Sequence, residues 1–180
     1  SPKDEAELAR MMATAIAHEG PAAVRYPRGT GVGAEVPGNP RPLPLGKAEI
    51  MQEGADILVL AVGSRLYPSL EAAQEMALDD GPTATVVNAR FVKPLDRDTI
   101  LEQAARFTRI LTVEENALAG GFGSAVLELL ADEGLLEGRR VRRLGLPDAF
   151  VEHGRQHQLR VDLGIDTVGI RRAMLELLED

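Results

Sequence analysis

Two guanidinium groups stand three residues apart in Arg25-Tyr26-Pro27-Arg28-Gly29, with proline and glycine fixing the backbone around the second. Arginine offers a rigid fork of donors that matches a phosphate. The run therefore reads as an oxyanion site, or else as a pair of ion-pairing residues at a domain boundary. Glu114-Glu115-Asn116, followed by Gly120-Gly121-Phe122-Gly123-Ser124 at the opening of a helix, is the second arrangement with chemical potential. Adjacent carboxylates can serve acid–base work, but a glutamate at a strand end can equally cap a helix, and glycines permit close helix–sheet packing. A bare helix start would attract an anion, which Glu114 and Glu115 oppose unless they are paired. His153 and His157 have i,i+4 spacing, yet His18 lies far away and no third ligand is evident, so a solvated helix face accounts for them better than a metal does. Gly29-Thr30-Gly31-Val32-Gly33 precedes no helix-forming segment and fails the context of a dinucleotide loop.

These residues need elements to position them. Ser1 and Pro2 with Asp4 suggest a helix start, and Leu8, Met11, Met12, Ala15 and Ile16 mark its apolar face to about His18. Ala22 to Tyr26 reads as a short strand, which requires neighbours for its backbone groups, so residues 1–29 are expected to order only against a sheet supplied from elsewhere. Residues 30–46, rich in glycine and proline, read as a linker. Beyond it, apolar runs and amphipathic stretches alternate. An edge strand is expected near 47–52, strands over 57–62, 83–88, 109–113 and 140–144, and helices over 67–78, 96–106, 121–130 and 167–178, with Ser64 or Ser69 capping the first of these. Strands this apolar belong in a mostly parallel sheet covered on both faces, so residues 47–180 are expected to form a three-layer α/β domain that folds alone. Ligands in such sheets gather at the carboxyl ends of the strands.

Composition narrows the partners. The 28 acidic residues outnumber the 20 basic ones, giving a formal charge of -8, which disfavours a nucleic-acid backbone; only Arg139, Arg140, Arg142 and Arg143 cluster, leaving room for a local anion site. Without cysteine there is neither a disulfide nor a thiolate metal site, which suits a reducing compartment. The longest apolar stretch, Ile57 to Val62, falls far short of the ~20 residues of a membrane-spanning helix.

The segments Ala23-Val24-Arg25-Tyr26-Pro27-Arg28-Gly29, Phe91-Val92-Lys93-Pro94-Leu95-Asp96, Thr112-Val113-Glu114-Glu115-Asn116, Gly120 to Ser124 and Gly145-Leu146-Pro147-Asp148-Ala149-Phe150 resemble, in order and spacing, the carboxy-terminal third of the 1-deoxy-D-xylulose-5-phosphate synthase family. The Lys-Pro-Leu-Asp and Glu-Glu-Asn segments also resemble transketolase and pyruvate dehydrogenase E1-beta relatives. The resemblance implies a transketolase-type transferase of isoprenoid and thiamine biosynthesis: a cytoplasmic homodimer that uses thiamine diphosphate and Mg2+ to join pyruvate to D-glyceraldehyde 3-phosphate with loss of carbon dioxide. It implies that residues 1–29 end a pyrimidine-binding domain and that residues 47–180 form a transketolase C-terminal-like domain. Cofactor and metal would be held by an amino-terminal portion outside this chain, which alone would be inactive. Of the functional residues, the resemblance carries over an arginine for the aldehyde's phosphate, favouring Arg28 with Arg25 as the alternative. A different class stays open, a non-catalytic assembly or interaction module for which residues 47–180 suffice.

Overall fold

The computed structural model describes residues 1–179. Helix α1 (Glu5–Ala17) is followed by irregular chain to residue 48, after which the elements alternate: β1 (Glu49–Gln52), β2 (Ile57–Ala61), α2 (Leu66–Met76), β3 (Ala84–Asn88), α3 (Arg97–Arg106), β4 (Arg109–Ala117), α4 (Phe122–Asp132), β5 (Arg140–Leu146), α5 (Gln156–Asp162) and α6 (Thr167–Glu179). The strands form one five-stranded sheet in the order β1-β3-β2-β4-β5, parallel except for the antiparallel edge pair β1–β3.

Strand alternation builds the two covered faces. From β2, Ile57, Val59 and Ala61 point to one side and pack with Leu66 and Ala73 of α2 and with Ile170 and Met174 of α6. Leu58 and Leu60 point to the other, against Ile100 of α3 and Phe122 and Val126 of α4. All five β2 residues are buried, as expected for a central strand with helices on both sides. At ~25 cal/mol per Å² of apolar surface removed from water, these two layers dominate the stability of the domain.

Several local expectations are corrected. Helix α1 starts at Glu5, where Asp4 is the cap and accepts from the Glu7 amide at 2.7 Å. Neither Ser64 nor Ser69 caps α2: the Ser64 hydroxyl donates to Glu115, and Ser69 donates to the Arg65 carbonyl within the helix. Residues 22–26 lie in no strand.

Helix α1 is fastened to the sheet domain. The buried Glu7 carboxylate accepts from Asn88 Nδ2 at 2.9 Å and from Arg90 Nε at 2.7 Å, both at the carboxyl end of β3. Arg90 also reaches Glu49, and Lys3 pairs with both Glu7 and Glu49. The glycine run folds against the same helix, Gly33 donating to Glu5 at 2.9 Å; a side chain at Gly31 would collide with Glu5. Further on, the Leu43 amide donates to Thr14 at 2.7 Å. The Lys-Pro-Leu-Asp segment is structural too: Asp96 caps α3 and accepts from the Ala48 amide at 2.9 Å.

Candidate functional site

In this sheet the strand order reverses between β2 and β4, because the chain passes from β2 outward to β3 and returns to the other flank of β2 for β4. The carboxyl ends of two such strands diverge and leave a crevice. A cavity of about 210 Å³ opens there, with Val62 and Ser64 after β2, Glu115 near the end of β4, and Arg25, Tyr26 and Gln156 in its wall.

The two glutamates do not form a carboxylate pair. Successive strand residues face opposite sides of a sheet, so Glu114 turns towards α4 and Glu115 towards α2, α5 and α6. The pairing of β4 with β5 is interrupted between Val113 and Ala117, which frees this stretch for side-chain contacts. Glu114 is fully buried and accepts the amides of Phe122 and Gly123, each at 2.8 Å. It fills the start of α4 that the sequence left bare, and a side chain at Gly121 would strike both the Ala117 carbonyl and this carboxylate. Burial pushes the Glu114 carboxyl above its ordinary range despite those amides and the charge of Arg25.

Glu115 accepts from the Ser64 hydroxyl at 2.6 Å, forms an ion pair with Arg65 Nε at 3.2 Å, and Arg160 binds both of its oxygens through Nη2 at 3.1 and 2.9 Å. Burial pushes its carboxyl upward, but these hydrogen bonds and the two positive charges outweigh burial and hold it below the ordinary range. Burial lowers Arg65 to about 10, so it stays charged at neutral pH, and its Nη1 donates to the Ile165 carbonyl at 2.9 Å. Nothing in the sequence alone links Glu115 to Arg160, 45 residues away.

Arg25 and Arg28 separate. Arg25 lines the switch-point cavity and also a larger cleft of about 570 Å³ bounded by Met11, Phe91 and Pro94. Arg28 is exposed and lies outside both walls. The domain-boundary ion pairs considered for them are not formed among the described residues.

The arginine cluster serves the fold. Arg139 donates to the carbonyls of Ala104 and Phe107, Arg142 pairs with Glu176, and Arg143 donates to the Leu118 carbonyl and to Ser124. His153 precedes α5 while His157 lies within it, and both are exposed. Among the described residues no three His, Cys, Asp or Glu side chains converge as metal ligands. No helix among them is long and apolar enough to cross a membrane.

Comparison with known proteins places this geometry. The chain is 58% identical over 96% of its length to 1-deoxy-D-xylulose-5-phosphate synthase 1 of Geobacter sulfurreducens and 53% identical over 99% to 1-deoxy-D-xylulose-5-phosphate synthase of Oleidesulfovibrio alaskensis. It spans 27% and 28% of the length of these two curated relatives. Among solved structures, a split-gene transketolase described as an inactive beta4 tetramer superposes with a TM-score of 0.69 at 29% identity, over 77% of this chain and 44% of that one. The family model for the transketolase C-terminal domain matches residues 46–170, which takes in the whole sheet and the cavity-lining side chains Ser64, Glu115 and Gln156. By that match the chain belongs to the transketolase C-terminal domain family.

Proposed function

We propose that this chain is the carboxy-terminal portion of a thiamine-diphosphate-dependent 1-deoxy-D-xylulose-5-phosphate synthase, and that its contribution is to bind the phosphate of D-glyceraldehyde 3-phosphate. The observation that carries the reading is Arg25 in the wall of the cavity where the strand order reverses. Likeness to the synthases supports it, since that likeness reaches beyond the family-matched residues 46–170 to cover nearly the whole chain.

On this reading the remaining portion of the protein holds thiamine diphosphate and Mg2+, and the working enzyme is a cytoplasmic homodimer serving isoprenoid precursor synthesis. Residues 1–29 finish the pyrimidine-binding domain, residues 30–46 are the linker, and residues 47–180 are the terminal domain. The cofactor supplies the carbanion equivalent left when pyruvate loses carbon dioxide. The part played by this chain is orientation: a guanidinium holding the remote phosphate converts binding energy into alignment of the aldehyde carbon. Arg25 is the preferred ligand because it shares the cavity wall, and Arg28, favoured by the resemblance, is the second candidate from the same run.

Steady-state kinetics of the complete protein tests this. Arg25→Ala should raise the apparent KM for D-glyceraldehyde 3-phosphate about 10–100-fold, the loss of one charge-assisted hydrogen bond, while leaving the KM for pyruvate unchanged. Arg28→Ala should have the smaller effect. If neither substitution alters the aldehyde dependence in an intact dimer, the phosphate role of this run fails.

A further inference from the structure

Helix α5 is an anomaly in this fold. It has seven residues and buries none of them, so little apolar packing holds it to the domain. Residues 147–158, which lead into and begin it, are exposed. What fixes the helix is charge: Arg160 grips both oxygens of Glu115. The same carboxylate engages Ser64 after β2 and Arg65, and Arg65 in turn holds the Ile165 carbonyl just beyond α5. One glutamate at the end of β4 therefore secures the helix directly and the segment after it through Arg65. At the other end of α5, Gln156 enters the wall of the switch-point cavity shared with Arg25, and the Gly29 backbone lies so close that an added Cβ would stand 3.2 Å from Gln156 Oε1.

We propose that Glu115 and Arg160 are positioning residues: they latch α5 over the switch-point cavity, so that the Gln156 amide is held beside Arg25 as a second polar contact for the molecule bound there. The identity of that molecule rests on the reading above, a phosphorylated aldehyde; the latch itself does not. A side-chain amide can donate to a phosphate oxygen or a hydroxyl without adding charge, which complements the guanidinium. With almost no buried surface in α5, breaking the ion pair should release the helix while the two-faced core stays intact.

Two measurements test this. In the 180-residue chain, amide hydrogen exchange over residues 156–162 should accelerate about tenfold in Arg160→Gln and in Glu115→Gln, with the amides of β2 and α4 unchanged in Arg160→Gln. Because Glu115 is partly buried and its variant could fail to fold, Arg160→Gln is the deciding one. In the complete protein, Arg160→Gln should raise the KM for D-glyceraldehyde 3-phosphate about tenfold without changing kcat or the KM for pyruvate, and Arg160→Lys should restore part of the loss. Unchanged exchange in α5 of folded Arg160→Gln overturns the latch. Faster exchange with an unaltered aldehyde KM overturns the positioning role, since α5 would then be held for packing alone. If the wild-type complete protein makes no 1-deoxy-D-xylulose 5-phosphate, the proposed function falls while the exchange result still decides the latch.

Discussion

Glu114 and Glu115 are neighbours in sequence and opposites in environment, because a strand sends one to each face of the sheet. Burial raises Glu114, whereas Ser64, Arg65 and Arg160 lower Glu115, and the two shifts act on stability with opposite signs. A carboxyl held below its unfolded value stabilises the fold above that value and loses the contribution as pH falls. The difference in melting temperature between wild type and Glu115→Gln should therefore be constant above the ordinary value of 4.5 and shrink below it. Subtraction removes the opposing effect of Glu114, which both proteins share. A difference that grows on acidification would contradict the pairing. The sequence showed that these carboxylates sit at a strand end; it could not show which cation each meets, since Arg160 is set by tertiary packing.

At the scale of elements, the strands of the central sheet were legible because continuous apolar runs have few other uses. The expected strand at 57–62 and helix at 96–106 match β2 and α3 to within a residue at each end. Polar stretches were less legible. β4 continues through Glu114, Glu115 and Asn116 to Ala117, past the end of its apolar run, and α5 was missed because it has no buried stripe to give a helical period. The glycines at the start of α4 permit close helix–sheet packing, and the two positions differ in how tight that packing is. At Gly121 an added Cβ would lie 2.1 Å from the Ala117 backbone oxygen, while at Gly123 it would meet the Thr112 hydroxyl at 2.5 Å and the flexible stem of Arg143. Side chains yield more readily than backbone. Gly121→Ala should cost about 1–3 kcal/mol or more, and Gly123→Ala less, in urea titrations. Equal costs would show that the α4 start slides as a unit.

The whole molecule is tied together by contacts that sequence reading did not foresee. Residues 1–29 were expected to order only against a sheet of their own, yet α1 docks on the end of β3 through Glu7, Arg90 and Asn88, a network among residues more than 80 positions apart. Such a pair has no local signature, and the strand expected at 22–26 does not form, having no neighbouring strand among the described residues. Limited proteolysis should cut the exposed chain between residues 18 and 42 and spare α1. Glu7→Gln, which leaves Arg90 only the more exposed Glu49 as counter-charge and should cost about 1–3 kcal/mol, should expose α1 to cleavage while residues 47–179 resist. Continued protection of α1 in that variant would assign its docking to apolar contacts such as Met11 instead. The outer margins of the sheet carry a different consequence. One is β1, only four residues long and irregular in register; the other is β5, which carries Arg140, Arg142 and Arg143. Short or heavily charged borders are poor templates for a strand from another molecule. The domain is thus guarded against edge-to-edge aggregation by the arginines of β5 and by the shortness of β1.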